Sequence, residues 1–111
     1  NRLVQVRVET RGGCLHRLSI DGHDTTLREG ESLPCGIVSA LARTVARLLE
    51  QEMGIQWSGD APEPGSLWLV IEHTPEQREE RLKGITDFLL TGLQDVAQDF
   101  PDIIQFEVKR I

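Results

Sequence analysis

The chain has 111 residues, 39% of them hydrophobic and 27% charged, with a formal net charge of −6 and a pI near 5.0. That length suits one domain, residues 1–111, built on a single core. The acidic balance argues against a nucleic-acid surface, which wants clustered Lys and Arg, and no run approaches the roughly 20 apolar residues of a membrane-spanning helix.

Valines occupy every second position near the start, Val4, Val6 and Val8, with Gln5, Arg7 and Glu9 between them. This period of two predicts a half-buried strand. Thr10-Arg11-Gly12-Gly13 reads as a hairpin turn. Cys14, His16, Leu18 and Ile20 then alternate against Leu15, Arg17, Ser19 and Asp21, which predicts a second strand antiparallel to the first, with the former set facing the core. Gly22 and His23 fall at its end.

Residues 24–33 are mostly polar, so a long loop is expected, and loops of that length are usually functional or mobile. Ser32 is placed to cap a helix and Pro34 to sit in its first turn. Val38, Leu41, Val45, Leu48 and Leu49 recur at helical spacing, with Gly54 closing the helix. Arg43 and Arg47 share one of its faces. Ile55-Gln56-Trp57 opens a third strand, and Gly59 to Gly65, with Pro62 and Pro64, reads as a turn. Ser66 to Glu72 is nearly all apolar, the pattern of a central strand covered on both faces or meeting another subunit. Thr74 is placed to cap a second helix with Pro75 in its first position. Leu82, Ile85, Leu89, Leu93, Val96 and Phe100 supply its buried face, and Pro101 ends it. Residues 103–111 form a last strand. The order β-β-α-β-β-α-β predicts an α+β fold: a mixed, mostly antiparallel sheet with two helices packed on one face.

Cys35 opens the first predicted helix. A thiol is a nucleophile only as thiolate, and a helix N-terminus favours the anion. His23, twelve residues earlier, is a histidine positioned to accept its proton. Gly36 leaves room for a substrate backbone, and helix-start N–H groups suit an oxyanion. Ser39 lies one turn after Cys35, on the same face. The plain alternative is a buried helix-start cysteine that acts as a small hydrophobe, beside a loop histidine. Cys14 reads as core packing, His16 as a satisfied or edge-exposed residue, His73 as a surface loop residue, and Trp57 and Trp68 as core or dimer contacts. Cys14, His16, His23 and Cys35 are ligand types for zinc, but their spacing matches none of the tight pairs of zinc motifs, so no metal and no cofactor is expected. No glycine-rich phosphate loop, nucleophile elbow or paired-carboxylate signature is present. Two cysteines are too few for a disulfide scaffold, and the first ten residues alternate rather than forming a secretory signal core. A reduced, cytoplasmic protein is the expectation.

Gly22-His23, the twelve-residue step, and Pro34-Cys35-Gly36-Ile37-Val38-Ser39-Ala40-Leu41 resemble the ribosomal-processing cysteine protease (Prp) family. The resemblance implies His23 as catalytic base, Cys35 as nucleophile, and Ser39, Gly36 and Gly22 as supporting residues. It also implies a small homodimeric α+β fold that removes an N-terminal extension from a large-subunit ribosomal protein, a protein substrate with no direct nucleic-acid or membrane contact. The chain departs from the family pattern in two places. Asp24 stands where an alanine often follows the histidine, and Ser32 where an aspartate often precedes the cysteine. Asp24 or Glu31 as third member, or a plain Cys/His dyad, all remain open. The reading from another class is a non-catalytic α+β dimer that binds ribosomal or other proteins.

Overall fold

A computed structural model of the chain describes residues 4–22, 33–63 and 65–111. The elements are β1 (Val4–Arg11), β2 (Cys14–Asp21), α1 (Leu33–Gln51), β3 (Gln56–Glu63), β4 (Ser66–His73), a 3-10 turn (Glu76–Arg78), α2 (Glu79–Asp99) and β5 (Ile104–Arg110). They form one five-stranded sheet in the order β3-β4-β2-β1-β5. β5 runs parallel to β1, and the other three pairings are antiparallel. This is the mixed α+β architecture expected from the element order.

One face of the sheet carries both helices. Val6, Val8, Leu18 and Leu69 from the strands join Val38 and Val45 of α1 and Leu82, Leu89 and Leu93 of α2 in a single buried cluster. At roughly 1.5–3 kcal/mol for each fully buried aliphatic side chain, this cluster is the main stabilising term. The other sheet face is polar across β1 and β5. There Arg7 Nε donates to Glu107 Oε1 at 2.8 Å and Gln5 Nε2 to Gln105 Oε1 at 3.0 Å, pairs that the parallel register sets side by side. Trp68 of β4 is exposed, and its neighbours across the sheet, Ser19 and Asp60, are polar.

The two helices run antiparallel. A Cβ on Gly92 of α2 would lie 2.9 Å from Leu41 Cδ2 of α1, and Arg81 Nε stands 3.5 Å from Glu52 Oε2, just past the end of α1. Continued in that register, the start of α1 lies level with the last turn of α2. β1 begins at the same end, where Val4 N–H donates to the Ile103 carbonyl and Ile103 N–H to that of Phe100.

Four sequence expectations are corrected. In β2, Leu15 rather than Cys14 or His16 joins Leu18 and Ile20 in the core. The register with β1 shifts between Glu9 and Thr10, which pair with Arg17 and Leu15, so His16 is an extra residue, a β-bulge. β3 continues through Gly59-Asp60-Ala61-Pro62 to Glu63, where a turn was expected. As an edge strand it bonds on one side only, and its register breaks between Asp60 and Glu63, so Pro62 is accommodated. Pro75 is the N-cap of the 3-10 turn rather than the first residue of α2, and Thr74 is not its cap. Arg78 N–H bonds the Pro75 carbonyl at 2.9 Å, a tight turn that delays α2 until Glu79. Finally α1 starts at Leu33, so Cys35 is its third residue rather than its first.

Candidate functional site

Cys35 sits in the first turn of α1, half-buried and packed against the core. Pro34 beside it is buried, which anchors this turn to the protein. The first turn of a helix carries N–H groups with no intrahelical acceptor, and their aligned dipoles favour negative charge nearby. Ser39, four residues on, is half-buried on the same face. Gly36 is exposed, and a Cβ built on it meets no atom of the described residues within 4 Å. It is helical, so neither backbone strain nor crowding inside the chain requires glycine there.

Gly22 lies at the end of β2, in a left-handed conformation with φ 99°. Its N–H donates to the Gly65 carbonyl at 2.8 Å, and Gly65, in the β3–β4 connection, also has positive φ, 82°. A Cβ is strongly disfavoured in that region, so glycine is the residue that lets the chain leave β2 along this path. Asp21 pairs with Gln5 at the start of β1. Gly22 and the start of α1 therefore belong to the same end of the molecule. His23 lies outside the described residues, as do Asp24, Glu31, Ser32 and the expected loop.

The remaining cysteine and histidines lie elsewhere. Cys14 opens β2, and its Sγ donates to the Glu79 carbonyl at 3.6 Å, at the start of α2. Burial pushes its thiol up; the nearby Lys83 ammonium pulls it down, and Glu79 and Glu80 push it further up. Cys35 is level with the other end of α2, some nineteen residues on and about 28 Å away at about 1.5 Å per residue. His16, next to Cys14 in β2, is thereby removed from Cys35 as a partner. No one ion could bridge these positions, and among the described residues no group of three or more His, Cys, Asp and Glu is arranged to hold a metal ion. Trp57 packs against the core, and His73 is exposed at the end of β4. No described helix is long and apolar enough to cross a membrane.

Sequence reasoning missed two contributors. The Gly65 carbonyl that holds Gly22 carries no local signal, because the contact depends on the β2–β4 pairing. The buried Thr86 carries no local signal either, because its role depends on the packing of α2 against β2.

Comparison with known proteins adds the following. The family described as cysteine protease Prp matches residues 3–105. No curated protein matches the chain. Among solved structures, the chain is similar to the protein SMU.848 from Streptococcus mutans, at 18% identity and a TM-score of 0.76, over 98% of this chain and 96% of that one. It is also similar to the essential ribosomal processing protease Prp from S. aureus in complex with a covalently linked product peptide. There the identity is 15% and the TM-score 0.79, over 96% of this chain and 100% of that one. The same S. aureus protease with a substrate peptide gives 13% identity and a TM-score of 0.76 over the same shares. At these identities the structures establish a shared fold.

Proposed function

The chain belongs to the cysteine protease Prp family, and on that premise we propose that it is a cysteine endopeptidase that removes an N-terminal extension from a large-subunit ribosomal protein. What carries the reading is the family match across residues 3–105, which spans Gly22, His23, Cys35, Gly36 and Ser39. The S. aureus relative, a ribosomal processing protease crystallised with substrate and product peptides, supports the substrate class.

His23 acts as general base and takes the proton of the Cys35 thiol. The thiolate attacks the scissile carbonyl carbon, and the carbonyl oxygen becomes an oxyanion near the first turn of α1, where N–H dipoles stabilise it. Collapse of the tetrahedral intermediate breaks the C–N bond as His23 returns its proton to the leaving amine. Water, deprotonated by His23, then attacks the thioester, releasing the acid and restoring the thiol. Among the described residues nothing crowds Gly36, which gives the substrate backbone its approach. Ser39 supports the thiolate or the substrate, and Gly22 fixes the chain direction into His23. The chemistry needs no cofactor. The same reading makes residues 1–111 one cysteine-protease-like domain, working as a cytoplasmic homodimer on protein without binding nucleic acid or membrane itself.

The test is incubation of the protein with the large-subunit ribosomal proteins of its own source, followed by mass analysis. One protein should lose an N-terminal segment, and Cys35→Ala and His23→Ala should each stop the loss. Intact masses throughout with the wild-type chain would leave the non-catalytic binding module as the better account.

A further inference from the structure

The far end of the molecule from Cys35 holds a cleft of about 390 Å³, within the range of roughly 300–1,000 Å³ usual for small-molecule sites. Its walls come from the β1–β2 hairpin, the end of β4 and the first turns of α2, and no residue of α1 contributes. The bulge at His16 shapes it. Leu15 turns into the core while both its neighbours, Cys14 and His16, line the cleft. Bulges that re-aim side chains in this way are over-represented beside functional sites.

The polar groups in the walls are not equivalent. Lys83 is held by Glu80, Nζ to Oε2 at 3.2 Å, and Glu72 accepts from Ser58 Oγ at 3.4 Å. Arg11, His16 and His73 also line the cleft, and among the described residues their side chains have no hydrogen-bond or ion-pair partner. Arg11, His16 and His73, from three strands, thus line one space together with the Lys83 ammonium, and the carboxylates of Glu72 and Glu79 stand in the same walls. A guanidinium presents a planar fork that matches carboxylate and phosphate oxygens.

We propose that this cleft is a second binding site, for a small molecule bearing a carboxylate or phosphate group, gripped by Arg11 and by the imidazoles of His16 and His73. It stands independently of the protease reading, because none of its residues serves the Cys35 end.

Cys14 lines the cleft and provides the readout. The full chain is treated with neutral iodoacetamide in sodium phosphate, in sodium succinate, or in sodium chloride at matched ionic strength, and alkylation at Cys14 and Cys35 is followed by peptide mass. A bound anion slows Cys14 by a factor of 1 + [L]/Kd, about tenfold at ten times Kd, and leaves Cys35 at its chloride rate. Phosphate acting alone or succinate acting alone identifies which anion the site takes. Arg11→Glu and His73→Gln, both at exposed positions, should each reduce the protection. In parallel, the ring protons of His16 and His73 should shift with the same saturation. No saturable effect of either anion beyond chloride, on Cys14 or on those rings, would overturn the proposal. So would equal slowing of both cysteines, or protection that persists in both variants.

Discussion

The hydroxyl of Thr86 accepts the Leu15 N–H at 2.8 Å and donates to the Leu82 carbonyl at 2.7 Å. Thr86 is fully buried, and the contact ties α2 to the bulge in β2. One extra residue in β2 disrupts the ladder locally, and a main-chain donor left there without an acceptor costs the full desolvation of an N–H. A helix threonine normally bonds back to the carbonyl four residues earlier; here the same oxygen also receives the strand N–H.

Thr86→Val keeps the shape and removes the acceptor. The Leu15 N–H is then buried without a partner, at a cost of about 1–3 kcal/mol. Thr86→Ser keeps the oxygen and loses one methyl, about 1 kcal/mol. Urea denaturation should rank wild type above Ser above Val. A valine variant as stable as wild type would show that the bulge finds another acceptor.

Much of the fold is written in periodicity. The alternating valines give β1, the helical spacing from Val38 to Leu49 gives α1, and the leucines from Leu82 to Leu93 give α2. Elements that depend on neighbours are not legible in this way. The bulge at His16 follows from pairing with β1, so the face of Cys14 could not be read from alternation alone. Pro62 signals a turn locally, yet the sheet order makes β3 an edge, where a proline can stay in a strand. At the candidate site, the Cys35-to-Ser39 spacing and helix start are visible in sequence. The Gly22–Gly65 bond joins residues 43 apart in the chain and has no local mark.

Gly36 and Gly84 make a matched pair. Both are exposed helical glycines, and a Cβ on either meets no atom of the described residues within 4 Å. Gly84→Ala should stabilise the fold by about 0.5–1 kcal/mol, through the helix propensity of alanine alone, with cleavage unchanged. Gly36→Ala should also fold at least as well as wild type. Its methyl, however, projects into the space that the proposed mechanism reserves for the substrate backbone, so kcat/KM should fall roughly 10–100-fold. Parallel melting and cleavage measurements separate the two effects. Undiminished cleavage by Gly36→Ala would place the substrate elsewhere.

Gly22→Ala forces a side chain onto a residue at φ 99° that is bonded to Gly65. The strain should cost about 1–2 kcal/mol, visible in denaturation. If the backbone instead relaxes toward negative φ, the Gly65 bond breaks and the path into His23 changes. Cleavage should then fall by more than the loss of folded protein explains. A Gly22→Ala chain that is destabilised but cleaves at the wild-type rate per folded molecule would remove Gly22 from the positioning of His23.

The two thiols should differ in reactivity. Cys14 is partly buried, bonds the Glu79 carbonyl, and has its thiol pushed up by burial with Glu79 and Glu80 adding to it against the opposing pull of Lys83. The reactive thiolate is therefore scarce at neutral pH. Because its folded-state pKa is raised, the stability linked to Cys14 is fully present below the ordinary thiol value. It is lost as pH rises through the folded one. The stability gap between wild type and Cys14→Ala should accordingly narrow at alkaline pH. In a buffer of chloride only, iodoacetamide at pH 7 should label Cys35 much faster than Cys14, and Cys14 should catch up only as the solution is made alkaline. His23→Ala should slow labelling of Cys35 near pH 7, with the rate recovering at higher pH, while leaving Cys14 unchanged. Peptide mass analysis over a pH series reads all four rates. Cys14 labelling first, or Cys35 labelling unaltered by His23→Ala at every pH, would sever the proposed link between the histidine and the nucleophile.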